Sequence, residues 1–482
     1  MAYFHSKTAV TCALLALAAT TTARRIDESR FTPEHIIVRD VAVIGGGASG
    51  SYAAVRVKDA GKSVVVIETK SHLGGHVDTY NDPRTGAAID YGVLAYLDLP
   101  GVKQFFARFQ IPTIAVTGSP FQNKYIDLKT GKPVPNYPAF SENATREALT
   151  TYATVAVQYS KYFFPSYLGL VELQNSGKPV PEDLTMPFGQ FVAKYKIEAA
   201  LPTIWTFASG LGDVLATPTV FVFQNFNGVH LQQISTGQMF RTANNSALFA
   251  GVTAYLGDES LMFGSRVAAA DRGASGVKLL VKSRCGKDVL VKAKRLLVTI
   301  PPTKDNMYPL DADAAENAVF AKWAYSDLQV GIITGSGLPD GISITNVDPS
   351  GDNSTLHLPK GTFVDPIAST GVPGIFRTMV VGPAGMGIQA AKDLVRKSVS
   401  AMGAAGTFPN LNRIDFPNWT DHGASQLRVS GADLAAGFFS KLYALQGQKS
   451  TWFTGAAWTA DYTSILWVFT EQAILPGLLA GL

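Results

Sequence analysis

The chain has 482 residues, 46% hydrophobic and 16% charged, so it is neither a disordered polymer nor a small disulfide-held scaffold. That length buries a large core and suffices for two domains. The net charge of +4 is small for such a chain, and no basic stripe is interleaved with aromatics, which argues against a nucleic-acid partner.

The N-terminus reads as a targeting segment. Lys7 supplies a positive start, Thr8 to Ala19 an apolar stretch, and Thr21-Thr22-Ala23 small residues for cleavage. The apolar stretch is well short of the ~20 residues that span a bilayer. Residues 1–23 are therefore expected to leave as a signal peptide, with Arg24-Arg25 as a second processing site. The expected location is the secretory pathway, with secretion as the outcome. Cys12 leaves with the signal, so Cys285 remains alone and no intrachain disulfide is possible. Four N-x-[ST] triplets, at Asn143, Asn244, Asn353 and Asn418, are candidate glycosylation sites.

After a polar lead-in, Ile26 to Asp40, the most informative stretch runs from Val41 to Gly75. Val41 to Ile44 is a short apolar run of the kind that forms a buried parallel strand. Gly45-Gly46-Gly47-Ala48-Ser49-Gly50 follows at once and fits G-x-G-x-x-G. Ser51 to Ala60 has helical spacing, Gly61 ends it, and Ser63 to Ile67 is a second strand. Gly45 suits the tight turn, Gly47 the close approach to a pyrophosphate, and Gly50 the packing of helix on strand. Free N–H groups at the helix start then face the phosphates, and Ala48 and Ser49, in the motif just before it, are candidate cofactor contacts. Glu68 lies 18 residues after Gly50, where a carboxylate accepts a hydrogen bond from a ribose hydroxyl. Strand, glycines, helix, strand and acid in this order point to a dinucleotide.

Gly74-Gly75 lets a second loop close over the phosphates, and His76 follows it. From Glu68 through His72-Leu73-Gly74-Gly75-His76 the chain resembles the flavin-containing amine oxidase superfamily, with histidines where that motif carries two arginines. The variant GGHVDTY, followed by Ile89-Asp90-Tyr91-Gly92, is most similar to fungal β-cyclopiazonate dehydrogenase-like proteins. The resemblance implies FAD. It also implies an α/β fold: a discontinuous Rossmann-like FAD-binding domain and a mixed α+β substrate domain.

Further along, Asn81 to Gly86 is expected as a hairpin turn and Val102 to Phe109 as a helix. Residues 113–137 read as strand and turn. Ser141 to Tyr167, Phe188 to Tyr195 and Glu198 to Leu211 read as aromatic-rich helices that line an apolar chamber or simply fill a core. Gln238 to Leu256 is expected as a helix. Strands are expected near Met262 to Ala269, at Val277 to Val281, at Val289 to Val291 and at Leu296 to Ile300, with Pro301-Pro302 ending the last. The resemblance makes Val267 the valine whose backbone meets adenine. It places Asp327 or Gln329, in a strand from Tyr325 to Thr334, where many relatives carry a lysine near the flavin. Gly385 to Met402 reads as a helix and Leu411 to Phe416 as a strand-like return. Trp452 to Ala456 resembles the late strand whose glycine, here Gly455, places the ribityl chain. Thr463 to Ala473 then resembles the helix that aims at the flavin pyrimidine, with Ser464 and Ile465 at its start. Glu471, Gln472 and Pro476 argue against a membrane anchor there.

The implied FAD-binding domain therefore comprises residues 38–110, 237–302 and 446–482, and the substrate domain residues 111–236 and 303–445. No metal site is expected, because Gly74-Gly75 between His72 and His76 prevents a helix that would aim both at one ion. No G-x-S-x-G elbow supports a hydrolase. No catalytic side chain stands out. The leading expectation is an FAD-dependent oxidoreductase, with non-covalent FAD, that removes hydride from a C–N or activated C–H bond of a small, largely apolar metabolite; ring closure coupled to that oxidation follows from the resemblance alone. The alternatives are an FAD-dependent double-bond isomerase acting on a polyene or fatty acid, and a non-catalytic secreted flavin-binding protein. Tyr91 and Tyr96 are further candidates for the flavin face.

Overall fold

Nine residues, Ile36–Ile44, form the strand on which the first sheet is built. The structure, a computed structural model, describes residues 26–118, 120–284, 286–349 and 358–482; the expected signal segment, Cys285 and Asn353 lie outside these. This strand, β1, leads into helix α1 (Ala48–Asp59) and strand β2 (Val64–Ile67). A hairpin of β3 (Thr79–Asn81) and β4 (Ala88–Asp90) follows, then helix α2 (Val102–Arg108) and strands β5 (Ile114–Ala115), β6 (Gln122–Asp127) and β7 (Lys132–Pro133). An 18-residue helix (Glu142–Tyr159) and a run of shorter ones fill most of residues 142–235, the last of them α3 (Gly228–Ser235). Next come β8 (Phe240–Arg241), α4 (Asn245–Leu256), β9 (Leu261–Met262), β10 (Ser265–Gly273), β11 (Gly276–Ser283) and β12 (Asp288–Val298). The chain then passes through α5 (Ala314–Phe320), β13 (Ala324–Thr334), β14 (Ile342–Asn346), β15 (Phe363–Ser369) and β16 (Ile375–Gly382). It closes with α6 (Ile388–Ala404), β17 (Asp415–Arg428), β18 (Thr451–Phe453) and α7 (Thr463–Phe469).

The first sheet has the order β10-β11-β12-β1-β2-β9, and β18 joins β12. Its strands come from three separated stretches of sequence. Val41, Ala42, Val43, Val65 and Val66 are wholly buried, as strands covered on both faces must be. The second sheet has the order β17-β13-β16-β15-β14-β6-β7. Ile333, Val380, Val395 and Met402 share a core between one face of that sheet and α6. On the other face, Val330 and Ile332 pack against Ile89 of β4 and Tyr91 just after it.

Several expected bounds differ; α1 opens at Ala48 rather than Ser51, and α6 at Ile388 rather than Gly385. The strand expected from Val41 begins at Ile36, because Ile36 to Arg39 pair with Leu290 to Ala293. The two strands expected at Val289 and Leu296 are one, β12. Lys292 and Lys294 interrupt its apolar pattern but point outward, to Glu28 and Asp40 at 2.8 Å each. The helix expected from Gln238 starts only at Asn245: Asn244 caps it by accepting from the Ala247 N–H at 3.2 Å, and Phe240 pairs with Ala115 before it. The late return is the 14-residue β17, starting at Asp415 rather than Leu411. Among the described residues no helix is long and apolar enough to cross a membrane.

Candidate dinucleotide site

Four parallel strands end side by side: β2, β1, β12 and β18. At about 4.8 Å between neighbours, the row is about 14 Å wide. Glu68 follows one outer strand and Thr454-Gly455 the other, with Gly45 and Thr299 between. A ligand touching both ends needs the length of a dinucleotide. The carboxyl ends of such strands, where the strand order reverses, are where open α/β sheets bind ligands.

The glycines are required by space. A Cβ on Gly50 would lie 1.9 Å from the Gly45 carbonyl oxygen. Gly47 starts α1 with no side chain capping it, which leaves the first N–H groups open to an anion. Gly74 donates its N–H to the Gly46 carbonyl at 2.9 Å, and a Cβ on Gly75 would lie 2.7 Å from the Gly47 Cα. The second glycine pair thus sits directly on the first motif. Ser49 is buried in the opening turn of α1, and the Ala48 carbonyl accepts from the Trp467 indole at 3.0 Å, which ties α1 to α7.

A cavity of about 300 Å³ opens at the β2 end, lined among others by Gly45, Glu68, Thr69, Val267, Asn306 and Leu310. Glu68 accepts from the N–H groups of Gly46 and Lys70, at 2.6 and 2.7 Å. Two oxygens offer about four lone-pair positions, so the fixed carboxylate retains capacity for a hydroxyl group. Asn306 and Leu310 were not foreseen. They arrive by the turn after Pro301-Pro302, where Asn306 donates to the Pro301 carbonyl at 2.8 Å, and no local motif marks them.

At the other end Gly455 has φ +112°, and a Cβ there would lie 3.0 Å from the Thr299 carbonyl oxygen. No side chain caps α7. Ser464 is fully buried, and its hydroxyl has no partner among the described residues. An orphaned hydroxyl beside uncapped N–H groups fits a polar ring edge of a bound ligand. Ile465, on the next residue, packs with Leu97, Met239 and Ala460, and half-buried Phe164, Phe207 and Tyr462 surround them. The helix continues into a π-turn at Thr470–Ile474.

The aromatics of the central helices are largely core. Tyr152, Phe163, Phe188, Phe191, Phe223 and Phe226 contact one another ring to ring. Tyr91 is tied by its hydroxyl to Thr420 at 2.8 Å, and Tyr96 is buried against Phe106 and Phe240. His230 is wholly buried with neither ring nitrogen bonded among the described residues, and burial pulls its pKa down to about 3.

The two histidines of the second motif part ways. His72 is exposed and bonded to the Leu73 carbonyl, 2.9 Å away. His76 turns inward, and its ring stacks on His422 of β17, with centroids 4.2 Å apart and planes 7° from parallel. His422 Nε2 is 2.9 Å from Asp78 Oδ2. Burial, reinforced by His422 and Lys70 and opposed by Asp461 and Asp78, lowers the His76 pKa to about 4. Neither Asp78 nor His422 was legible beforehand, since 344 residues separate them.

The expectation for β13 is corrected. Asp327 accepts from the Gly385 and Met386 N–H groups at 2.6 and 2.9 Å, and Gln329 bonds the Met386 carbonyl and the Trp419 indole at 3.2 and 3.0 Å. Both therefore lie on the outer, α6 side. Strand alternation puts Leu328 and Val330 on the inner face. Among the glycosylation candidates, Asn143 is exposed, Asn244 caps α4, and Asn418 is half-buried.

Parallel strand ends, a glycine-built phosphate turn and a buried ribose-type acid define a Rossmann-type dinucleotide-binding protein. Residues 43–109 match the family of NAD(P)-binding Rossmann-like domains. Over 479 residues the chain is 36% identical to the FAD-dependent oxidoreductase oblC of Cochliobolus heterostrophus, covering 96% of each. It is 31% identical over 440 residues to β-cyclopiazonate dehydrogenase of Aspergillus oryzae, covering 91% of this chain and 92% of that protein. A fatty acid isomerase from P. acnes superimposes with a TM-score of 0.69 at 18% identity, covering 90% of this chain and 99% of that one. A putrescine oxidase variant gives 0.62 at 16% identity, covering 92% and 100%. The fold is thus that of the flavin-containing amine oxidases. The chain belongs to the fungal FAD-dependent oxidoreductase family that includes β-cyclopiazonate dehydrogenase.

Proposed function

We propose that the chain binds FAD without a covalent link and uses it to oxidise a small, largely apolar metabolite at a C–N or activated C–H bond. The observation that carries this is the row of strand ends from Glu68 to Gly455, with the orphaned Ser464 hydroxyl at its far end. Glu68 would hold the ribose, and the Val267 backbone would line the adenine. The N–H groups at Gly47, Ala48, Ser49 and Gly50, closed over by Gly74-Gly75, would hold the pyrophosphate. Gly455 leaves room for the ribityl chain, and the first turn of α7, at Ser464 and Ile465, would meet the pyrimidine edge. When bound, FAD supplies the hydride acceptor. The chain's own part is to hold that ring between α7 and the second sheet and to offer an apolar approach past Phe164, Phe207 and Tyr462. Those walls favour an apolar substrate, because a charged one would be desolvated there without a partner. Coupled ring closure, entry into the secretory pathway and glycosylation at Asn143, Asn244, Asn353 and Asn418 belong to the same proposal.

The test is to purify the protein, record its visible spectrum, and add amines, indoles and polyenes without oxygen. Bleaching by an amine or an indole supports the proposal. Conversion of a polyene with no bleaching, no electron acceptor and no peroxide would instead establish an isomerase. A coloured protein that none of them bleaches or converts would mean a flavin carrier.

A further inference from the structure

We infer that Asp78 and His422, with His76 stacked on the second ring, form a proton-accepting unit beside the flavin, and that His422 Nδ1 takes the proton the substrate loses. This rests on the FAD reading above.

The position follows from two contacts. Gly75 lies against Gly47, so His76 begins where the pyrophosphate loop ends. The His76 ring meets His422 on the second sheet. The charge of Asp461, two residues before α7, acts on the same ring. A ring system spanning from Gly47 to α7 and facing that sheet must pass this stack.

The strand geometry is specific. In β17, Asp421 pairs with Gln329 and Gly423 with Leu328, so His422 is the extra residue of a β-bulge. A bulge re-aims one side chain out of the regular ladder, and Gly423, at φ +60°, completes the turn. Thr420, two residues earlier, reaches Tyr91 on the same inner face.

The protonation states follow from the partners. Burial pushes the Asp78 carboxyl up, but the His422 hydrogen bond and Lys70 outweigh it and leave it below its ordinary value. An ionised carboxylate only accepts, so His422 Nε2 carries the hydrogen. Nδ1 is then the ring atom left to take a proton, and it makes no hydrogen bond among the described residues. Oxidation of H–C–X–H removes a hydride from carbon and a proton from X as the C=X bond forms. The hydride pair goes to FAD and the proton to His422 Nδ1, whose imidazolium is then held by Asp78. A second cavity, of about 630 Å³, reaches Asp78 from outside and is lined by Lys70, His72, Thr253, Trp419 and Asp421 among others. The dyad therefore exchanges its proton with solvent without passing through the apolar approach. The charged and titratable groups facing it are Lys70 and His76 from the loop after β2, Tyr91 after β4, Asp421 on β17 and Asp461 before α7.

The test uses the FAD-loaded full chain. The visible flavin band is recorded at one pH for the wild type and both variants. His422→Gln should keep FAD and displace the band, and Asp78→Asn should displace it as well, since His422 then loses the partner that orients it. The amine or indole that bleaches the wild type should bleach H422Q about 100-fold more slowly. A band and a bleaching rate both unchanged in H422Q would overturn the proton-accepting unit while leaving the FAD reading intact. If H422Q does not fold, an unmoved band in D78N overturns it equally. A folded wild type that takes up no FAD overturns the reading itself, and this inference with it.

Discussion

Gly75 is pressed onto Gly47, the added Cβ of the one lying 2.7 Å from the Cα of the other. Gly75 also has φ +59°, which a side chain resists. Gly75→Ala is therefore expected to cost about 1–3 kcal/mol and to part the two loops. The flavin-to-protein ratio of the purified variant should fall well below that of the wild type, and added FAD should raise its melting temperature less.

Arg272 and Glu316 form a buried two-pronged ion pair, both prongs at 2.8 Å, with side chains 2% and 4% exposed. Arg272 also donates to the Leu310 carbonyl at 2.7 Å, so it holds the segment that walls the 300 Å³ cavity. Arg272→Met leaves Glu316 buried with only Lys449 as a cationic partner, and is expected to cost about 3–5 kcal/mol. Urea denaturation measures this. Adding Glu316→Gln should recover part of the loss, because the stranded charge is then gone.

His230 sets a pH dependence. Burial holds its pKa at about 3 in the native state, against about 6.5 when unfolded. Between those values the unfolded chain binds a proton that the native chain does not. The native state is thus fully favoured above about pH 6.5 and loses that margin as pH falls toward 3. His76, at about 4, acts in the same direction. His230→Leu should lower the melting temperature less than the wild type between pH 7.5 and 5, and comparing the two at both pH values decides it.

Acid precipitation should leave a colourless pellet and a yellow supernatant. After Cys12, in the expected signal segment, the sequence has a single cysteine, Cys285. Lys282 and Asp288 pair on either side of that position, at the start of β12. The site lies at the other end of the strand, about 33 Å along ten residues. A yellow pellet would refute non-covalent binding.

What the sequence made legible was local. The turn from Val41 to Glu68 could be read because strand, glycines, helix and acid follow within one βαβ unit, and each residue's task is set by its neighbours. Val267, Gly455 and Ser464 became candidates only through resemblance, since no spacing ties them to Gly45; the pairing of β12 with both β1 and β18 supplies that tie for Gly455 and Ser464, and a shared cavity wall supplies it for Val267. The misplacement of Asp327 and Gln329 has a simple cause. Alternation says that two residues share a face but not which face, and α6 decides it. His422 was invisible for a different reason: a bulge has no periodic signature, and its partner, Asp78, lies 344 residues away in sequence.

The order of the strands also fixes when the protein becomes competent during synthesis. β18 and α7 are made after every other strand of the first sheet, yet they complete the row of strand ends that β1 begins. A nascent chain halted before Thr451 has the pyrophosphate turn but lacks Gly455 and α7. Prosthetic-group capture is therefore a late checkpoint, and prematurely terminated chains should emerge from the ribosome unpigmented.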